Sequence, residues 1–338
     1  MNRFEYVRAA SVDEALAALR LPGSVLLAGG TNLVDLMKYE VARPARLVDI
    51  NRLPLSSIEE LPEGGLRLGT LVPNADAAYD PRVQQKAPLV ASAILAGASA
   101  QLRNAATTGG NLLQRTRCPY FYDIHTPCNK REPGSGCSAI GGLTRMHAIL
   151  GSSEHCIAVH PSDLCVALAA LEARVNVMGP GGERTIAFAD FHRLPGDRPE
   201  IDTTLAAGEI ILSVDLPAWK FGDNYSYLKI RDRLSYAFAL VSVAVALEMS
   251  EGLIVTARLA VGGVAHKPWR SLEAEALLEG RAPEEGAFIA AAMALLEGAL
   301  GRGDNDFKIE LARRAIVRAL GQAAAGAPQS QSDKKVRP

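Results

Sequence analysis

Twice in its first 115 residues this chain places two consecutive glycines just ahead of an Asn-Leu step: Ala28-Gly29-Gly30-Thr31-Asn32-Leu33, then Thr107-Thr108-Gly109-Gly110-Asn111-Leu112. Paired glycines let a backbone approach a ligand closely and present successive N–H groups. A helix starting directly afterwards adds its positive end, and the combination suits a pyrophosphate. Thr107 and Thr108 would add hydroxyl donors to the second turn. One such bend alone is more simply a tight turn. Neither matches GxGxxG or the P-loop spacing, so a Rossmann fold or an NTPase is not indicated.

The residues around the first turn read β-α-β-α-β. Ser11 and Glu14 form a capping box, and Val12, Ala15, Leu16 and Leu19 make the apolar face of the helix that follows. Residues 24–28 read as a buried strand, a helical segment starts at Leu33, and residues 46–50 read as another strand. Beyond residue 55 a strand is expected at 65–70, an alanine-rich buried helix at 88–98, a helix at 163–173, and strands at 174–178 and 210–216. In the final unit Tyr225, Tyr227, Lys229, Arg231 and Arg233 alternate with Leu228 and Ile230, which puts them on opposite faces of a strand. Strands at 242–248 and 253–261 and helices at 273–278, 287–300 and 307–320 complete an α+β pattern. The expected division is 1–55, 56–222 with a cysteine-bearing insertion at 115–156, and 223–322, with a low-complexity, disordered tail from 323 to 338.

Composition excludes several classes of function. With 338 residues, 48% of them hydrophobic, and a formal net charge of -1, the chain has no long-range field to recruit nucleic acid or an anionic membrane. Its longest apolar stretches fall short of the ~20 residues of a membrane span, so membrane insertion is not expected. The N-terminus lacks a basic stretch followed by an apolar one, so the chain is expected to fold in the cytoplasm. Export in company with a signal-bearing partner stays open.

All five cysteines lie between Cys118 and Cys165. Cys118, Cys128, Cys137 and Cys156 are separated by nine, eight and eighteen residues in a stretch without useful periodicity. Four thiolates can complete a zinc tetrahedron or an iron–sulfur cluster. Paired CxxC knuckles are absent, and the spacing leaves the metal undecided. Cys165 lies in an apolar helix and reads as a small buried hydrophobe. His125, His147, His155 and His160 lie near the cysteines in sequence and read as supporting or structural. No nucleophile–base arrangement, GxSxG or HExxH is present, so no catalytic residue is expected.

The pair AGGTNL and LRNAATTGGNLLQ (102–114), with SVDEALAAL (11–19), PSDL (161–164), YLKIRDRLSYAFALVSVAV (227–245) and IELARRAIVRAL (309–320), resembles the FAD-binding medium subunits of the xanthine dehydrogenase and carbon monoxide dehydrogenase family of molybdenum hydroxylases. The resemblance covers nearly the whole chain. It implies a mixed α/β and α+β fold: a two-subdomain FAD-binding fold of the PCMH type, then a C-terminal α+β domain like that of the carbon monoxide dehydrogenase flavoprotein. It assigns the FAD diphosphate to Leu26, Leu27, Ala28, Gly29, Gly30, Thr31, Asn32, Leu33 and Val34, together with Thr107, Thr108, Gly109, Gly110 and Asn111. Asp163 would contact ribityl or ribose hydroxyls, and Lys229 would stand near the flavin ring, where a cation stabilises reduced flavin. On the residues alone, Asp163 also reads as a helix cap beside Ser162, and Lys229 as a solvated strand charge.

The segments QRTRCPYFYD, PCNKREPGSGC and HAILGSSEHCIA are similar to the branch of bacterial periplasmic-type aldehyde oxidoreductases, whose FAD subunit carries a [4Fe-4S] cluster. 4-Hydroxybenzoyl-CoA reductase also has a cluster-bearing insertion, with a different cysteine spacing expected. By this resemblance Cys118, Cys128, Cys137 and Cys156 are the cluster ligands. The implied partners are a large molybdenum-cofactor subunit and a small subunit with two [2Fe-2S] clusters, in a heterotrimer that passes electrons to an external acceptor. Two other readings remain at this point: a self-contained flavin oxidase or reductase, and a zinc-stapled scaffold module without redox chemistry.

Overall fold

The computed structural model describes residues 1–331. The chain opens with three short strands, β1 (Glu5–Arg8), β2 (Ser24–Leu27) and β3 (Arg46–Asp49), which form a parallel sheet in the order β1-β3-β2. Parallel neighbours need crossovers, and the helices Val12–Leu19 and Leu33–Lys38 supply them. The Ser11 hydroxyl accepts the N–H of Glu14, whose carboxylate reaches back to the N–H of Ala10.

The next unit holds β4 (Ile58–Glu60), β5 (Leu66–Gly69), β6 (Arg174–Gly179), β7 (Gly182–Ala187) and β8 (Ile210–Leu216), antiparallel in the order β4-β5-β8-β6-β7. Between β5 and β6 run the helices Pro88–Ala96, Ala100–Ala105 and Asp163–Ala170, the last ending three residues before the expected 173. The third sheet, β9 (Tyr225–Ile230), β10 (Val241–Ser250), β11 (Leu253–Gly262) and β12 (Trp269–Arg270), is antiparallel in the order β12-β11-β10-β9.

Both faces of this third sheet are covered, so its strands read as continuous apolar runs. Leu228, Val243, Val245, Leu247, Leu259 and Val261 pack with Phe288, Ala292, Ile316 and Leu320 of the helices Glu285–Leu295 and Phe307–Ala324. On the other face Tyr227, Ala244, Ala246 and Ala260 join the core that contains Leu89, Val90, Ala93, Leu164 and Leu168. Small alanines there leave room for the helices Pro88–Ala96 and Asp163–Ala170. This corrects the expectation for Lys229: its face looks onto buried helices, and its side chain is only 3% exposed. Arg231 and Arg233 lie beyond the end of β9. The last helix continues to Ala324, past the expected start of the tail, and residues 332–338 of that tail lie outside the described residues. No helix among the described residues is long and apolar enough to cross a membrane.

Most of 115–156 is turn and coil, with one short helix, Pro119–Tyr122, and an isolated bridge pairing Cys128 with Cys137. Such a stretch needs side-chain anchors. Arg115 Nε lies 2.7 Å from Asp202 Oδ2, Lys130 Nζ reaches Asp202 and the Pro199 carbonyl, and His266 Nε2 lies 3.3 Å from Asp202 Oδ1. Burial opposes charge on Asp202, but the His266 hydrogen bond and the Arg115 and Lys130 charges outweigh it. They hold the carboxyl well below the usual range.

A carboxylate whose folded pKa is depressed stabilises the fold at pH values above its unfolded pKa of ~3.9, and that contribution fades as pH falls further toward the folded value. Asp202→Asn is therefore expected to cost about 2–3 kcal/mol at pH 7, less than a fully buried pair because the Asp202 side chain stays 21% exposed. The variant should also lose less stability than wild type between pH 4 and pH 2. Denaturant unfolding at pH 7, 4 and 2 checks both; parallel pH curves would exclude the carboxylate as the cause.

Candidate functional site

The first glycine turn leaves β2 at Ala28 and enters the helix Leu33–Lys38. Gly30 has φ +71, a left-handed conformation that favours glycine. Gly29 is required for another reason: a Cβ there would stand 1.8 Å from the carbonyl oxygen of Ala105. The turn is thus seated directly on the backbone that leads into the second glycine turn. The Asn32 Oδ1 atom accepts the N–H of Arg115 at 2.8 Å and ties the two regions again. Among the described residues no backbone carbonyl accepts from the N–H of Gly29, Gly30, Thr31, Asn32 or Leu33. With a helix of six residues behind them, these donors act locally, as a nest of amides.

The second turn behaves differently, and the expectation of a matching row of free donors is corrected. Thr108 N–H donates to the Val72 carbonyl and Gly109 N–H to the Thr70 carbonyl, each at 2.9 Å. The Thr108 hydroxyl also donates to Val72 O, and Thr107 Oγ1 accepts from Gly110 N. A Cβ on Gly109 would meet Thr70 Oγ1 at 1.9 Å. These bonds pin the turn to the chain just past β5. What it offers outward is Gly110 and Asn111.

A cavity of about 700 Å³ opens in front of both turns. Of the residues expected at a cofactor, Thr31, Asn32, Gly110, Asn111, Asp163 and Lys229 line it. Leu26, Leu27, Ala28, Gly29, Gly30, Leu33, Val34, Thr107, Thr108 and Gly109 are not among the residues that line it. Sequence reasoning passed over Asn74, Arg103, Gln114, Arg117, Tyr236 and Phe238, which also line it. Arg103 and Gln114 lie in LRNAATTGGNLLQ, Arg117 in QRTRCPYFYD, and Tyr236 and Phe238 in YLKIRDRLSYAFALVSVAV, whereas Asn74 lies in no motif. Asn32 Nδ2, Asn74 Oδ1, Arg103 Nε and Arg117 Nε are buried there without a hydrogen-bond partner. Buried polar atoms are normally paired, so this wall is shaped for a polar ligand.

At one end of the cavity Asp163 accepts the Tyr227 hydroxyl at 2.8 Å and Lys229 Nζ at 2.7 Å. Lys229 and Arg231 both donate to the Ala96 carbonyl as well. Burial, reinforced by the Asp163 charge, pushes the Tyr227 phenol well above its ordinary pKa, so it remains a donor. The cap of the helix Asp163–Ala170 is Ser162, whose hydroxyl accepts Cys165 N–H. Asp163 is thereby free to pair across the domain boundary, which overturns its reading as a cap.

Cys118, Cys128, Cys137 and Cys156 line a single small cavity with Tyr120, Phe121, Asn129 and Lys130. None of the five cysteines is in a disulfide. Burial pushes the Cys118 thiol up to about 12 and that of Cys156 up to about 11. Thiolates there require a bound cation to offset the loss of hydration. His147 Nε2 lies 3.1 Å from Cys118 Sγ, His155 lines the same cavity, and His125 is exposed. A narrower cavity touches Cys118 at one end and shares Arg117, Pro161, Asp163 and Phe238 with the large cavity at the other.

The profile of the FAD binding domain in molybdopterin dehydrogenase matches residues 2–219, and that of the CO dehydrogenase flavoprotein C-terminal domain matches 225–323. The chain is 50% identical over 329 residues to the aldehyde oxidoreductase FAD-binding subunit PaoB of Escherichia coli, covering 97% of this chain and 100% of that one. It is 31% identical over 329 residues to the carbon monoxide dehydrogenase medium chain of Hydrogenophaga pseudoflava, covering 95% and 97%. A solved structure of the carbon monoxide dehydrogenase from that organism superposes with a TM-score of 0.75 at 30% identity, over 96% of this chain and 98% of that one.

Asp163→Ala would leave the Lys229 ammonium buried and unpaired, and is expected to lower stability by about 3–5 kcal/mol. The double variant Asp163→Leu, Lys229→Met should recover most of that loss, because an apolar pair carries no desolvation penalty. Denaturant titration of the three proteins tests the coupling. Equal losses in the single and the double variant would show that the pair does not hold the charge there.

Proposed function

Because the chain belongs to the FAD-binding family of the molybdopterin dehydrogenases, we propose that it is the electron-transferring FAD subunit of a molybdenum-dependent aldehyde oxidoreductase. The cavity of about 700 Å³ in front of the two glycine turns carries this reading, with its four orphaned polar atoms and the unused amides behind Thr31 and Asn32. A dinucleotide supplies phosphate oxygens for the amides and the arginines, and hydroxyls for Asn74 and Asp163. Bound FAD would supply one- and two-electron redox chemistry between partner iron–sulfur clusters and an external acceptor.

The chain's own residues would do the holding. The amides of residues 29–33 and the Thr31 and Asn32 side chains would take the diphosphate, with Gly110 and Asn111 closing the other side. Leu26, Leu27, Ala28, Val34, Thr107, Thr108 and Gly109 would set the shape of the two turns. Lys229, held by Asp163, would place a fixed and largely compensated charge at the far end. Such a pair orients a ring more than it attracts an electron.

The four cysteines fit a [4Fe-4S] cluster better than one zinc ion. Zinc at a Zn–S distance of about 2.3 Å draws its sulfurs to about 3.8 Å from one another. Among the described residues, the group of three or more potential ligand atoms lying within 4.8 Å of one another is His160, Cys165 and His192, and it includes none of these four sulfurs. Their wider spread around one cavity suits a polynuclear cluster. The aldehyde substrate follows the name of the Escherichia coli relative. The partners proposed are a large molybdenum-cofactor subunit and a small subunit with two [2Fe-2S] clusters.

Flavin and iron content of the chain co-produced with those subunits is the direct test. Gly29→Ala should reduce flavin occupancy by at least about tenfold and leave iron unchanged, because its Cβ would displace the turn from Ala105. Cys137→Ser should remove about four iron atoms per chain and leave flavin in place. Full flavin in the glycine variant would refute the diphosphate assignment, and unchanged iron in the cysteine variant would refute the cluster.

A further inference from the structure

A second group of soft ligands lies outside the lining of the four-cysteine cavity. His160 precedes the helix Asp163–Ala170, Cys165 sits in its first turn, and His192 follows the short helix Phe188–Phe191. One ligand atom from each lies within 4.8 Å of those of the other two, and all three side chains are buried. His160 is 7% exposed, Cys165 0% and His192 4%.

We infer that His160, Cys165 and His192 form a separate binding site for one d10 metal ion, Zn²⁺ or Cu⁺. Three observations carry it. Both ring nitrogens of His160 and the Nδ1 of His192 are buried with no hydrogen-bond partner. His192 Nε2 lies 2.9 Å from the carbonyl oxygen of Leu112, and a carbonyl can only accept, so the proton sits on Nε2 and the partnerless Nδ1 keeps its lone pair for a ligand. A backbone carbonyl that fixes the tautomer is the usual support behind a metal-ligating histidine. Thirdly, the two imidazole centroids stand 4.3 Å apart at an interplanar angle of 51°, so the rings meet tilted and are not stacked face to face.

Two imidazoles and a thiolate select borderline and soft ions over Mg²⁺ or Ca²⁺, which take oxygen ligands. Binding replaces the Cys165 proton, which leaves to solvent, and the imidazoles bind as neutral rings. His266 does not complete the set: its Nδ1 lies 2.9 Å from Arg193 O, and its Nε2 faces Asp202. Three protein ligands close a neutral trigonal site around Cu⁺, whereas Zn²⁺ keeps a fourth position for water and a residual positive charge. His160 also lines the narrow cavity beside Cys118 and Asp163, which gives an ion its way in. The bound ion would lock the start of the helix that carries Asp163 to the segment at His192. It is independent of whether flavin or the four-cysteine cluster is present.

The test uses the full chain co-produced with its partner subunits, stripped with a chelator and incubated anaerobically with Zn²⁺ or with Cu⁺. After desalting, metals are counted by mass spectrometry and located by anomalous scattering at each edge. The expected result is about one equivalent of one of these ions between His160, Cys165 and His192. Cys165→Ala and His192→Phe should each lower its retention at least about tenfold. Cys137→Ser should keep it while losing iron, which separates the two sites. Cys165→Ala, which fits a helix core, should show unchanged flavin content, so that a lost ion is not a lost fold. Retention below about a tenth of an equivalent of both ions in wild type, or equal retention in wild type and Cys165→Ala, overturns the inference.

Discussion

The large cavity depends on a contact that only glycine permits. Gly29 brings the backbone of the first turn against the carbonyl of Ala105 with no room for a side chain between them. The three-stranded parallel sheet behind that turn has four-residue strands and a small core around Ala15, Val48 and Leu53. A sheet of that size is marginal alone, so docking on the antiparallel unit stabilises it. The same docking fixes the depth at which Thr31 and Asn32 enter the cavity. The two turns share a glycine pair but not a role. One keeps its amides unused, and the other spends them on Val72 and Thr70 to remain a rigid wall.

The other end of the cavity is set by buried charge. Asp163 stands on a helix of the FAD-binding unit, and its partners Tyr227 and Lys229 stand on β9 of the C-terminal sheet. Isolated, either charge would be costly to bury; together they favour the one relative position of the two units in which both are satisfied. The alanine face of β10 and β11 permits that position, because larger residues at Ala244, Ala246 or Ala260 would hold the helix Asp163–Ala170 away. The C-terminal unit is therefore part of the cavity wall.

How much of this was legible depended on whether the signal was local. The strands at 210–216 and 253–261, the first β-α-β-α-β unit and the glycine turns follow from periodicity and from glycine's φ freedom, both of which a sequence displays. The four cysteines were readable as a group because they crowd one aperiodic stretch. The fate of Lys229 was not, since alternation tells which residues share a face but not what covers it. Nor was the difference between the turns visible: Thr107 and Thr108 look like extra donors until Val72 and Thr70 are placed beside them. His192 escaped notice because its partners, His160 and Cys165, lie about thirty residues earlier and meet it only through the fold.

Arg115 joins these local pieces into one object. Its backbone N–H holds Asn32 of the first turn, its guanidinium holds Asp202, and its Cζ lies 4.8 Å from the centroid of Phe121 in the cysteine stretch. Asp202 in turn holds Lys130, which lines the cysteine cavity. A shift of the cysteine stretch cannot occur without pulling on the residue that positions Asn32. The two cavities are mechanically coupled through a single side chain and its own amide, and the narrower cavity at Cys118, Arg117 and Phe238 shares lining residues with both. An insertion that only decorated the surface would need no such anchor to the residue that positions Asn32.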